Sequence, residues 1–171
     1  RLLRAMRRRG SPDLIRRLIT ACRDRGILLR TTMIVGFPGE TDAEFEELLE
    51  FVREIRFERL GAFAYSPEEG TSAASLPGQL PEEVKRQRLD RLLKLQQRIS
   101  LAVGQARVGE TCEVLVEGMK DDTYYGRSCL EAPEIDGSIL FTSRNSLRPG
   151  EYVPVRIIGA SEYDLTGEAS K

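Results

Sequence analysis

The sequence predicts a parallel α/β unit followed by a small closed β-barrel. Three observations carry that prediction. An apolar β-type run, Thr31 to Val35, stops at the loop Gly36-Phe37-Pro38-Gly39 and passes at once into a helix start. A second such run, Leu60 to Tyr65, ends in the loop Ser66-Pro67-Glu68-Glu69-Gly70-Thr71. After Gly109 the texture changes to short alternating runs separated by turn residues.

Taken in order, the chain opens inside a basic helical pattern and has no initiator methionine, so it reads as a piece of a longer protein. Ser11-Pro12-Asp13 is a helix start, with serine at the cap, proline at the first position and an acid in the first turn. Leu14, Ile15, Leu18, Ile19 and Cys22 recur at helical spacing, and Gly26 ends the helix. Residues 27–35 form a near-continuous apolar run, the pattern of a strand buried on both faces. Thr41-Asp42-Ala43-Glu44 is a capping box. It starts a helix over about 42–56 that places Phe45, Leu48, Leu49, Val52 and Ile55 on one side. The second strand spans about 60–65. Helix–strand–helix–strand order implies parallel strands joined by crossover helices.

Residues 71–80, rich in Ser, Ala, Gly and Pro, read as a connector. Pro81-Glu82-Glu83 starts a long helix reaching about Val103, with an uneven apolar stripe of Val84, Leu89, Leu92, Leu93, Gln96, Ile99 and Val103. Its Lys- and Arg-rich face reads as solvated, because Glu82, Glu83 and Asp90 are interleaved. Candidate strands follow at Thr111–Met119, Thr123–Cys129, Ser138–Thr142, Tyr152–Ala160 and Glu162–Leu165. Five short strands in this span fit a closed barrel of the OB type. The domains divide as 1–104 and 105–171.

Composition narrows the chemistry. Apolar residues make up 40% of the chain, enough for a core, and no run is long enough to cross a membrane. There is no secretory signal. The absence of histidine removes the commonest general base and metal ligand from this sequence. Cys22, Cys112 and Cys129 are far apart, match no metal spacing, and read as buried free thiols of a reducing cytoplasm. Net charge is −1, but residues 1–104 carry 19 basic and 15 acidic side chains, against 7 and 12 in 105–171. The halves are therefore about +4 and −5, and they present different surfaces to partners.

Both glycine-bearing loops follow the carboxyl end of a strand, the edge where α/β proteins bind ligands. A tight turn at Gly36 and Gly39 lets bare backbone approach a flat or charged ligand, and the helix start aims N–H groups at polar or anionic atoms. On spacing alone an ordinary βα turn is slightly favoured. Glu40 is placed to accept from ligand hydroxyls or an amine, or to complement the helix N-terminus. Arg30, inside an apolar strand, needs a carboxylate from the protein or from a ligand. Aromatics at Phe63 and Tyr65 can stack on a purine or pack the core, and core packing is favoured for Phe63. Glu68 and Glu69 read as a solvated loop. No nucleophile–base pair, phosphate loop or metal cluster is visible, so the sequence alone supports a ligand-binding edge with a barrel appended.

The stretch Leu29 to Thr41 closely resembles the fifth-strand region of radical S-adenosylmethionine methylthiotransferases. Gly61 to Thr71 resembles the sixth strand and its loop. Leu3 to Arg8 looks like the end of the preceding segment, and the helix carrying Arg88, Leu92, Gln96 and Ile99 looks like the linker helix. The final 65 or so residues look like a TRAM domain. The resemblance implies the C-terminal part of a partial (β/α) barrel, then the TRAM barrel. It also implies S-adenosylmethionine as cofactor, contacted by Arg30, Ile34, Val35, Gly36, Glu40, Phe63, Ala64, Tyr65 and Ser66. The family pattern Gly-x-Ile-x-Gly-x-x-Glu is met at Ile34 and Gly36. Thr32 replaces its first glycine, and the acid arrives one place late, at Glu40.

The family's [4Fe-4S] clusters are held by cysteines, one set spaced Cys-x-x-x-Cys-x-x-Cys, and Cys22, Cys112 and Cys129 match neither set. The chain by itself is therefore expected to be inactive, with no catalytic or metal residue of its own. One family branch modifies an adenosine of transfer RNA. The other methylthiolates the β-carbon of an aspartate in a small-subunit ribosomal protein. The runs Tyr65 to Thr71, Gly126-Arg127-Ser128 and Ala132 to Gly137 are similar to the ribosomal-protein branch. Charge agrees, since an acidic barrel repels phosphates and attracts a basic protein. A non-catalytic module holding a basic partner is the alternative outside the enzymes.

Overall fold

A computed structural model describes residues 1–8 and 10–170; Arg9 and Lys171, the end of the expected barrel, lie outside the described residues. The chain forms two compact units, Arg1–Ile99 and Ser100–Lys171.

The first unit holds α1 (Leu2–Ala5), α2 (Pro12–Arg23), β1 (Arg30–Val35), α3 (Asp42–Ile55), β2 (Arg59–Ala64) and most of α4 (Glu82–Ala106). Ser11 caps α2 as its sequence demands, accepting from Leu14 N–H. Thr41 and Glu44 form the reciprocal capping box of α3. That helix ends at Arg56, whose backbone is left-handed at φ 53° with no glycine to signal it. Strands β1 and β2 pair in parallel, with Ile34 beside Phe63 and Thr32 beside Gly61.

Period-two alternation decides what each side of this sheet does. Met33 and Leu60 pack on Ile19, Ile55 and Phe57 of the helical layer. Arg30, Thr32, Ile34, Gly61 and Phe63 are exposed instead. The expectation of a strand buried on both faces is therefore corrected, as is that of a core Phe63. The apolar run begins to pair only at Arg30, and only one side of the sheet is covered by helices. The apolar stripe of α2 is likewise thinner than its spacing suggests, with Ile19 buried and Leu14 and Leu18 exposed.

Helix α4 departs most from the sequence reading. Its buried residues are Lys85, Arg88, Leu92, Gln96 and Ile99. Lys85 and Arg88 of its first turns thus face inward, because carboxylate and aromatic partners wait for them there, while Arg86 between them stays exposed.

The second unit is a closed barrel in the order β3-β4-β5-β7-β6, with β3 at Thr111–Lys120, β4 at Thr123–Arg127, β5 at Ile139–Thr142, β6 at Tyr152–Ala160 and β7 at Leu165–Ala169. Its core is Val114, Val116, Tyr124, Ile139, Phe141, Val155, Ile157 and Leu165. The last strand begins at Leu165, where the sequence pattern ends it. Ser161 and Asp164 bond to each other and turn the chain first. Gly104, near the end of α4, lies so close to Ala160 that a Cβ there would sit 3.0 Å from the alanine methyl. Cys129 follows β4 in a turn and is exposed, while Cys22 and Cys112 are half-buried, so the three are not uniformly buried thiols.

Candidate cofactor-binding edge

The site begins with the two strands' carboxyl ends. Ile34 is 46% exposed and Phe63 is 63% exposed, side by side in the ladder. Two large apolar side chains held in water on one face offer a flat surface to a ring. Val35 and Ala64 alternate to the helical side, and Val35 is fully buried, so only their main chains are available to a ligand on the open face. Leu29 C=O accepts from Arg59 N–H and Val35 C=O accepts from Tyr65 N–H. By the alternation of a parallel ladder, the polar main-chain groups of Ile34 point to the opposite edge of β1.

Three N–H groups of the Gly36–Glu40 loop are already engaged within the protein. Gly36 N–H donates to Glu40 Oε1 at 2.9 Å. Gly39 N–H donates to Gly78 C=O at 2.8 Å, and Glu40 N–H to Phe37 C=O at 2.9 Å. Thr41 N–H donates to Glu44 at 3.0 Å. These four amides already have acceptors. Glu40 comes four places after Gly36, and its carboxylate folds back on its own loop. Gly36 has φ +75°, and a Cβ there would lie 2.6 Å from Lys85 Cγ, so glycine is required twice over.

Glu40 is buried and is met by Arg88, whose Nη1 lies 2.6 Å from Glu40 Oε1 and 3.1 Å from Glu40 C=O. Arg88 Nη2 donates to Asp42 Oδ1 at 2.6 Å. Lys85, 2% exposed, carries its ammonium 5.4 Å above the Tyr65 ring and 2.6 Å from Glu82 Oε1. Tyr65 in turn packs edge-on against Phe37 at 5.3 Å. Its hydroxyl is buried and has no hydrogen-bond partner among the described residues.

The remaining expected residues fall differently. Ser66 is exposed beside Tyr65. Arg30 is exposed at the other end of β1, roughly 20 Å of strand from Gly36 at ~3.3 Å per residue. The structure does not bring it to the loop, and its expected burial is corrected, since it is the first paired residue of its strand. Lys85 and Arg88 were not singled out as site residues by sequence reasoning. Their spacing with Leu92, Gln96 and Ile99, three or four places apart, is the signal that one face of α4 is buried despite its charges.

Comparison with known proteins matches the two ends of the chain to separate families. The Radical SAM superfamily pattern matches residues 1–52, and the TRAM domain pattern matches residues 108–169. A ribosomal protein uS12 methylthiotransferase RimO from Pelotomaculum thermopropionicum is 53% identical over 98% of this chain and 39% of its own length. Proteins of the same name from Desulforudis audaxviator and Heliobacterium modesticaldum are 49% and 52% identical, over 96% and 98% of this chain. Nearly the whole of this chain is similar to part of these radical S-adenosylmethionine methylthiotransferases. It spans less than two fifths of the length of these methylthiotransferases, at 37–39%.

Two features of the edge fit the family's cofactor. The Ile34–Phe63 surface suits a nucleoside ring, and the Tyr65 hydroxyl is a buried polar group without a partner among the described residues. The cluster is another matter. Among the described residues no three metal-binding side chains gather, so no cluster chemistry is assigned to them. Among the described residues no helix is long and apolar enough to cross a membrane.

Proposed function

We propose that this chain contributes the end of an S-adenosylmethionine site, within residues 1–104, and an appended barrel, within 105–171, to a cytoplasmic enzyme. That enzyme methylthiolates the β-carbon of an aspartate in ribosomal protein uS12. The observation that carries the reading is the exposed pair Ile34 and Phe63, in register at the carboxyl ends of parallel strands, with the unpartnered Tyr65 hydroxyl following them. The relatives' shared name supports uS12 as the substrate.

Each residue has a role on this reading. Ile34 and Phe63 hold the nucleoside ring by apolar contact. The main chains of Val35, Gly36 and Ala64 set the distance at which it lies. The Tyr65 hydroxyl and Ser66 meet its polar groups. Glu40 shapes the loop through Gly36 N–H, and Arg30 acts at the far end of β1. Bound S-adenosylmethionine, with a reduced iron–sulfur cluster, supplies the radical that takes hydrogen from the substrate carbon.

The barrel half carries about −5 in charge, which favours a basic protein over an RNA phosphate chain. The deciding experiment is mass spectrometry of uS12 from a strain lacking the gene that encodes this chain. Loss of the methylthio group from its aspartate supports the reading. Its persistence, with a methylthio group missing from transfer RNA instead, favours the adenosine-modifying branch.

A further inference from the structure

We infer that Arg88 and Lys85, one turn apart on α4, are positioning residues for the nucleoside edge, Arg88 acting through Glu40 and Lys85 through Gly36 and Tyr65. The inference rests on the proposed S-adenosylmethionine site and assigns its geometry to a helix outside the two strands.

Both residues reach the strand ends. Arg88, 5% exposed, ties together the carboxylate of Glu40, the carbonyl of Glu40 and the carboxylate of Asp42. The same Glu40 oxygen accepts from Gly36 N–H, so the guanidinium is one atom removed from the residue that follows Ile34 and Val35. Planar donors on a charged acceptor fix direction as well as distance. Lys85 fills the space where a Gly36 side chain would stand, and its ammonium caps the ring of Tyr65. One helical face therefore sets the position of both strand ends at once. Neither residue is exposed enough to touch a ligand on the open face, so both act indirectly.

The test uses the full-length enzyme that carries this chain, with S-adenosylmethionine affinity measured by equilibrium dialysis. R88Q and K85M are expected to raise Kd about tenfold, with turnover at saturating cofactor within about twofold of the parent. R88K, which keeps charge but not the fork, falls between. R86Q, at an exposed position of the same helix, leaves Kd unchanged. Because Arg88 acts through Glu40, E40Q and R88Q combined weaken binding no more than R88Q alone. Hydrogen exchange in residues 34–41 quickens in R88Q while that of the barrel does not.

A Kd in R88K and K85M equal to the parent's, or strict additivity of E40Q and R88Q, overturns the inference. R88K supplies the answer if R88Q does not fold. I34D separates the two levels of the argument. Weakened binding in I34D beside unchanged binding in R88K and K85M sinks the positioning role alone, whereas unchanged binding in I34D sinks the nucleoside face itself.

Discussion

Ile34 lies directly beside Phe63 in the parallel ladder, and both side chains are exposed. Each of their neighbours along the strands turns to the covered side or is small. A pair this apolar and this exposed has little stake in the fold. I34S/F63S is therefore expected to leave thermal stability within about 0.5 kcal/mol of the parent. The same double change should weaken S-adenosylmethionine binding by the longer enzyme. Differential scanning calorimetry and equilibrium dialysis read the two effects separately, and a large loss of stability would place the pair in the core.

Gly36→Ala meets two obstacles, a left-handed backbone and the Lys85 stem. The expected cost is about 1–3 kcal/mol. Shortening Lys85 to alanine beside it should return part of that loss, the part due to crowding, and leave the backbone strain. Urea denaturation of G36A, K85A and the double variant measures the coupling. Strict additivity of the two changes would show that the side chains do not meet.

Arg56 closes α3 in the left-handed region without being glycine. Arg56→Gly should stabilise the chain by about 0.5–1 kcal/mol, because the strain removed exceeds the extra freedom given to the unfolded chain. A rise in melting temperature checks it. No rise would mean that the Arg56 side chain contributes more than its backbone costs.

Glu44 is held at about 2, down from 4.5, first by the guanidinium of Arg1 and then by Thr41 N–H. A lowered carboxylate favours folding above the ordinary range and loses that contribution as pH falls through about 2. Solvent exposure at Arg1 keeps the effect small. The Glu44 carboxyl resonance should titrate near 2 by NMR, and Thr41→Ala should move its midpoint upward. A midpoint near 4.5 in the parent would show that the Arg1 contact does not form in solution.

The cysteines should react in order of access. Cys129 is exposed, and burial pushes the Cys112 thiol up despite Arg107 nearby. With iodoacetamide at pH 7.5, Cys129 is expected to alkylate first and Cys112 to lag far behind. Peptide mapping over time follows it. Equal rates at the two sites would contradict the fold around β3.

The local signals in this chain were readable one residue at a time. Ser11 and Thr41 cap their helices because a hydroxyl precedes an apolar periodicity, and the capping box closes as spaced. The barrel strands follow from alternation and turns, except where Ser161 and Asp164 make a turn that delays the last one. The family resemblance was legible because Leu29 to Thr41 and Gly61 to Thr71 are contiguous motifs.

What the amino acids alone determined, then, is what neighbours in the chain carry: the caps of α2 and α3, the glycine loop and the appended barrel. Tertiary structure decided which charges go inside. Arg88 and Lys85 are inward only because Glu40, Gly36 and Tyr65, 20 or more positions away, present a carboxylate, an empty Cβ site and a ring. Burying a cation is favourable only when such partners are already in place, so the spacing along α4 marks its inner face, but only the fold supplies the partners that make its charges acceptable there.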